Sequence, residues 1–297
     1  MSMRRKAVHR FARALAALAL LASAGAAAQN EPERTGGPYV PTPQIVVDQM
    51  LRLANVGAND YVMDLGSGDG VIVLTAAQQY KARGMGVDID PELVKLANRE
   101  AARLGIADRA SFKVMDVFKA DLSRASVVTL YLLPGMMINL RPKIYLELKP
   151  GTRVVSHDYH FDDWRPDDSV TFDVPEKEKI NGMPRATIYL WIIPARIGGR
   201  WTVSVEGGGR YDVTWRQNYQ AVDGRAQSAG RAVKVQDATL RGEQLEFTLA
   251  PGGARQQFRG RVNGDAMQGT ADLGRGRTAR WTAVRAATPD DRQGLIQ

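Results

Sequence analysis

The sequence predicts two folded regions of different class. One is an α/β domain over residues 38–195, built on a doubly wound sheet of seven mostly parallel strands; the other is an all-β antiparallel domain over residues 199–287. Three observations carry that division. Between Tyr61 and Ile193, short apolar runs alternate with helical patterns, as expected of a sheet covered on both faces. From about Gly198 the texture changes to Gly- and Arg-rich stretches with period-two alternation. A length of 297 residues is also more than one small domain needs.

The first folded element is a helical pattern from Thr42 to Val56, with Thr42 as expected N-cap and Pro43 at the first helical position. Tyr61–Leu65 reads as a strand, Gly70–Tyr80 as a helix and Gly84–Asp88 as the second strand. Pro91–Leu104 is a helix expected to turn Leu93, Val94 and Leu96 inward. Ser111–Met115 and the strongly apolar Val127–Leu133 follow as strands, then a helix from Pro134 to Leu148 and a fifth strand at Arg153–Ser156. Val170–Val174 and Thr187–Ile193 complete the sheet as an antiparallel pair.

Beyond the Pro194–Gly199 joint, inward-facing sets occur at Trp201, Val203, Val205, at Tyr211, Val213, Trp215 and at Leu245, Phe247, Leu249. Turn signals at 207–209, Asp223-Gly224, Arg241-Gly242, 251–253 and 263–265 suggest a meander of about seven strands, a curled sheet or small barrel. Thr288–Gln297 reads as a loose tail.

The two ends carry the positive charge. The formal net charge is +8, yet residues 1–28 hold five basic and no acidic side chains, and 15 basic face 10 acidic residues from Gly199 onward. The middle of the chain is therefore slightly acidic, and the high pI does not mark it as a nucleic-acid binder. In residues 1–28, a basic stretch, the apolar run Ala14–Ala22 and the small residues Ala26-Ala27-Ala28 follow the order of a secretory signal peptide. The expectation is export to the periplasm with residues 29–37 as linker; the alternative is an uncleaved membrane anchor with the folded domains in the cytoplasm. The absence of cysteine excludes disulfides, thiolate metal sites and a catalytic cysteine.

The residues that carry chemistry sit where strands end. Asp64-Leu65-Gly66-Ser67-Gly68-Asp69-Gly70 joins the first strand to its helix. Glycines there let the backbone turn sharply and approach a ligand, and the helix N-terminus offers free N–H groups to a carboxylate. A dinucleotide site of the form G-x-G-x-x-G would place its third glycine at Val71; here it stands one residue earlier, with Asp64 closing the strand, which points to S-adenosylmethionine instead. Asp88 ends the second strand 24 residues after Asp64, near the spacing at which a carboxylate meets ribose hydroxyls. Its neighbour Asp90, before Pro91, suits the helix N-cap better.

Asp116 closes the third strand, where it can accept from an adenine amino group while Val117 or Phe118 covers the ring. Tyr131 ends the fourth strand, either bordering the transferred methyl group or serving as a core aromatic. The fifth strand leads into His157-Asp158-Tyr159-His160, where spacing does not support a metal site; substrate contact or loop support is expected, with no single base favoured.

Pro38-Tyr39-Val40-Pro41-Thr42-Pro43, the Asp64–Gly70 loop, Tyr131–Pro134 and Pro150–Ser156, with Trp164 and Pro166, occur together in order. Over residues 38–176 this chain resembles the bacterial branch of a class I methyltransferase family whose mitochondrial members methylate lysines of the ATP synthase c-subunit and the adenine nucleotide carrier. The resemblance implies a Rossmann-like seven-stranded methyltransferase sheet and S-adenosyl-L-methionine as cofactor. It implies that Tyr39, Pro41 and Thr42 help close the pocket and that Asp64, Gly66, Gly68, Asp88 and Asp116 bind the cofactor, with Ser67, Ile89 and Val117 beside them. Tyr131, His157 and Asp158 are the candidate catalytic-side residues. Val71 departs from the arginine that relatives often carry there. The expected acceptor is a protein lysine or a small molecule, without nucleic acid and with possible membrane association through residues 1–28. The rival reading is an exported nucleoside-binding envelope protein that transfers no methyl group.

Overall fold

The computed structural model describes residues 37–286. The expected signal or anchor (1–28) and the tail (288–297) lie outside the described residues. Within them the chain forms a seven-stranded mixed sheet with flanking helices, followed by a closed eight-stranded antiparallel barrel.

The first region runs α1 (Gln44–Leu53), β1 (Tyr61–Leu65), α2 (Val71–Gln79), β2 (Arg83–Asp88), α3 (Pro91–Arg103), β3 (Ala110–Val114), β4 (Val127–Leu130), α4 (Pro134–Glu147), β5 (Arg153–His157), β6 (Asp168–Asp173), α5 (Pro175–Asn181) and β7 (Arg185–Ile192). Strand order is β3-β2-β1-β4-β5-β7-β6. β1 to β5 are parallel, β7 runs antiparallel to β5, and β6 antiparallel to β7. The chain leaves β1 in opposite directions to reach β2 and β4, so a crevice opens above the carboxyl ends of β1 and β4, where ligands bind in such sheets.

Alternation along β1 divides the core. Val62 faces α1 and α2, joining Val46, Val47, Met50, Leu51, Ile72 and Ala76, while Met63 and Leu65 face α4 with Met137, Leu140 and Ile144. Each of the four fully buried apolar residues of α1 contributes roughly 1.5–3 kcal/mol. Two local expectations fail. Pro43, not Thr42, is the N-cap of α1, because the rigid Pro43 backbone at ψ 143° enters the helix without a side-chain cap. Leu96 is 44% exposed, since α3 turns Val94, Ala97 and Ala101 to the sheet and Leu96 falls on the opposite face.

The barrel strands are β8 (Gly199–Val205), β9 (Arg210–Asn218), β10 (Ala221–Ser228), β11 (Arg231–Arg241), β12 (Gln244–Ala250), β13 (Gln256–Asn263), β14 (Ala266–Asp272) and β15 (Thr278–Arg285). β15 pairs with β8, which closes the barrel and leaves no free sheet edge. Its interior is packed with Trp201, Trp215, Phe247, Phe258 and Trp281 among smaller apolar side chains.

There are eight strands rather than about seven, and Asp223-Gly224 is not a turn. Gly224 sits within β10 opposite Trp215, and a Cβ there would lie 2.6 Å from the indole ring. The glycine makes room for a core tryptophan. The segment between the two regions is held firmly: the Gln217 amide accepts from Ile197 N–H at 2.6 Å and donates to the Ala195 carbonyl at 2.8 Å.

Candidate active site

The loop from β1 to α2 forms the floor of the crevice. Gly66, Gly68 and Gly70 all have positive φ (83°, 52° and 85°), a region costly for side-chain-bearing residues. The Gly66 and Ser67 amides donate to the Val87 carbonyl at 2.9 and 3.0 Å, which binds the loop to the end of β2. A Cβ on Gly68 would meet the Tyr39 ring at 2.5 Å, and one on Gly86 would meet Ser67 at the same distance. The backbone here is thus bare and closely approached, with Tyr39 lying across it as a cover.

Asp88 is aimed before any ligand arrives. Its Oδ2 accepts from Gly68 N–H at 2.8 Å and its Oδ1 from Asp90 N–H at 2.9 Å. Each carboxylate oxygen retains lone-pair capacity for a hydroxyl. Asp90 caps α3, accepting from Glu92 and Leu93 N–H, which leaves Asp88 to the crevice as expected. Asp64 is 2% exposed and accepts from the Thr129 hydroxyl at 2.6 Å. Burial pushes its carboxyl up to about 7, helped by the Asp88 and Asp69 charges and opposed by the Thr129 hydrogen bond. A cation seated beside it would stabilise its ionised form.

The Met115 amide donates to the Asp88 carbonyl at 2.8 Å, bringing the end of β3 to the same edge. Asp116 follows, accepting from Phe118 N–H at 2.9 Å at the head of a short 3-10 turn. Val117 is 6% exposed and joins the core beneath the sheet; Phe118, 37% exposed, is the ring free to cover a base. Ile89 is exposed beside Asp88, and Thr42 is half-buried just before α1.

Across the crevice, Tyr131 stacks on His157, with centroids 4.0 Å apart and planes 29° from parallel. Asn181 donates to the Tyr131 hydroxyl at 3.4 Å. Burial, then the Asp158 charge, raises the phenol above its ordinary pKa, so it stays protonated. No sequence signal marks Lys177, the residue that organises this side. It is 1% exposed, and its Nζ donates to Asp158 Oδ2, to the Arg185 carbonyl at 2.8 Å and to His157 Nε2 at 3.1 Å. In Pro175-Glu176-Lys177-Glu178-Lys179 a lysine reads as part of a solvated charged face; only the fold turns it inward.

That lysine redefines its neighbours. Asp158 Oδ1 also accepts from Thr187 N–H at 3.0 Å, so both carboxylate oxygens are engaged. His157, 1% exposed, is pushed by burial to a pKa of about 4 and is neutral. An ammonium has no lone pair, so His157 Nε2 accepts from it and Nδ1 carries the proton. Both side chains are tied to Lys177, and their contribution is to hold Tyr131 in place.

The residues fit an adenosyl sulfonium carrying an amino acid. The glycine turn opens onto the N-terminus of α2, whose dipole favours a carboxylate, Asp88 suits a vicinal diol, and Asp64 a cation. Ser67 Oγ is buried with no protein partner, a polar atom ready for a ligand. Fold and site together define a class I S-adenosylmethionine-dependent methyltransferase.

A family model described as the ANTKMT methyltransferase domain matches residues 64–168. A protein-lysine N-methyltransferase of Saccharolobus islandicus is 40% identical over 157 residues, covering 52% of this chain and 93% of the relative. The Mus musculus lysine N-methyltransferase of the ATP synthase C-subunit is 34% identical over 130 residues, 44% of this chain and 52% of its own length. The mouse adenine nucleotide translocase lysine N-methyltransferase is 36% identical over 135 residues, 46% of this chain and 58% of its own. The chain thus spans little more than half of each mouse relative. A solved RNA methyltransferase of Salinibacter ruber with S-adenosyl-L-homocysteine is 49% identical, covering 53% of this chain and 96% of that one, at a TM-score of 0.48. The chain belongs to the ANTKMT methyltransferase family.

Proposed function

We propose that this chain methylates the side-chain nitrogen of lysine in a protein acceptor, and that residues 1–28 direct it to the envelope or anchor it to a membrane. The observation that carries the reading is the asymmetry of the crevice. Its cofactor side presents Asp64, Asp88 and Asp116 at three neighbouring strand ends, and its other side presents a fixed aromatic pair, Tyr131 on His157. An alkylammonium is attracted by the carboxylates and by an aromatic face. The names of the archaeal and mouse relatives support the same acceptor.

When bound, S-adenosylmethionine supplies a methyl group already activated on a sulfonium. The protein has to align the acceptor with that carbon and keep water out. A lysine must first lose a proton, since its free pKa is about 10.4. With Asp158 and His157 engaged by Lys177, the proton passes to solvent. The bound cofactor would supply its methyl carbon to that nitrogen lone pair and leave as the neutral thioether.

Calorimetric titration with S-adenosylmethionine, followed by transfer of tritiated methyl to envelope protein and, separately, to RNA, tests the reading. Binding with label in protein is expected. Binding without label in either acceptor would favour the envelope binding protein, and label in RNA alone would replace lysine with a nucleobase. A compartment reporter fused at Gln29 tests the placement in the cell.

A further inference from the structure

The two-residue hairpin between β9 and β10, Tyr219-Gln220, is built against its own turn chemistry. Asn218 pairs with Ala221, and such tight loops favour Asn-Gly or Asp-Gly because the backbone needs positive φ. Here Tyr219 occupies φ 52°. A bulky residue persists in that region when its surroundings hold it there.

The surroundings belong to the methyltransferase region. The Tyr219 ring stacks on Trp164 at 4.5 Å and 7°, and meets Tyr145 of α4 edge-on at 5.2 Å. The Gln220 side chain accepts from the Trp164 indole N–H at 2.8 Å and donates to the Arg165 carbonyl at 2.6 Å. Trp164 is fully buried, and its carbonyl accepts from the Trp191 indole of β7 at 2.9 Å. The hairpin tip therefore clamps the far end of the segment 158–165. The near end of that segment leaves β5 at His157, and Tyr159 lies parallel to Tyr131 with centroids 6.3 Å apart.

The Saccharolobus relative is matched along nearly all its length by 157 residues, so it has no room for both this sheet and a barrel. The barrel is an addition to the catalytic fold, and its clearest attachment is to the loop beside the acceptor.

We propose that Tyr219 and Gln220 are positioning residues: the barrel fixes the 158–165 loop, and through Tyr159 sets the acceptor wall facing Tyr131, without touching the cofactor. This rests on the acceptor-side reading given above. The test uses the full chain as wild type, the double variant Tyr219→Leu with Gln220→Ala, and Tyr219→Phe. Hydrogen exchange of residues 158–165 is expected to quicken about tenfold in the double variant, with residues 61–70 unchanged and affinity for S-adenosylmethionine within about twofold. Transfer of tritiated methyl to poly-L-lysine should fall about tenfold in kcat, a modest misalignment cost, with KM for the cofactor unchanged. Tyr219→Phe keeps the stack and should restore both. Unchanged exchange in 158–165, a Tyr219→Phe variant as impaired as the double variant, or parallel loss of protection at 61–70 and of cofactor affinity would each overturn the proposal. Should wild type leave poly-L-lysine unlabelled, the lysine reading is what fails, and the exchange measurement still decides the role of the hairpin.

Discussion

The two walls of the crevice are made in different ways. The cofactor wall is mostly backbone: glycines at positive φ, amides bound to the end of β2, and a carboxylate held by Gly68 and Asp90 N–H groups. Its parts lie within a few residues of the strand ends that carry them. The acceptor wall is made of side chains drawn from β4, β5, α5 and, through Trp164, from a different domain. The contrast teaches that a universal cofactor can be met by a local motif, whereas an acceptor site is assembled from distant pieces and can be altered one piece at a time.

That comparison breaks most visibly at Lys177. Removing one member of a buried pair leaves the other charge uncompensated, at a cost of about 3–5 kcal/mol. Lys177→Met is therefore expected to lower Tm by roughly 10 °C in thermal unfolding, while cofactor affinity measured on the folded protein stays near native. A small change in Tm, or loss of cofactor binding, would mean that the two walls are not separate.

Asp64 offers the next largest effect, with opposite sign. Its folded pKa stands above its unfolded value, from 3.8 to about 7, so the native state holds a proton that the unfolded chain has released. Stability falls as pH rises through that window, by up to about 4 kcal/mol above it. Asp64→Asn should raise Tm by several degrees at pH 8, little at pH 4, and weaken binding of S-adenosylmethionine. A destabilised variant at pH 8 would show that the carboxylate is already paired within the protein.

The smallest effect is on the acceptor wall. His157 has its pKa depressed from 6.5 to about 4, so the unfolded chain takes up the proton first. The stability it contributes is complete above pH 6.5 and is lost as pH falls toward 4, by up to about 3 kcal/mol. Comparing pH-dependent melting of wild type and His157→Gln isolates it; identical curves between pH 4 and 6.5 would place the acid sensitivity elsewhere.

The same contrast explains what was legible in the sequence. Gly66, Gly68, Gly70 and Asp88 could be read because their roles follow from position at strand ends and from backbone geometry. Lys177 could not, because its burial depends on Asp158 and His157 reaching it across a fold. Tyr219 was hidden because a tyrosine gives no turn signal, and Gly224 misled because its partner, the Trp215 ring, lies on another strand. Val117 points into the core and Phe118 outward because the 3-10 turn at 117–119 rotates them apart, a detail of three residues that no periodicity resolves.

Asp88 tests most directly whether three adjacent strand ends grip one adenosyl sulfonium. Two hydroxyls accepted by one carboxylate are worth about 3 kcal/mol or more, so Asp88→Ala should weaken S-adenosylmethionine binding at least about a hundredfold in calorimetric titration. Near-native affinity in that variant, with wild type binding normally, would contradict the account.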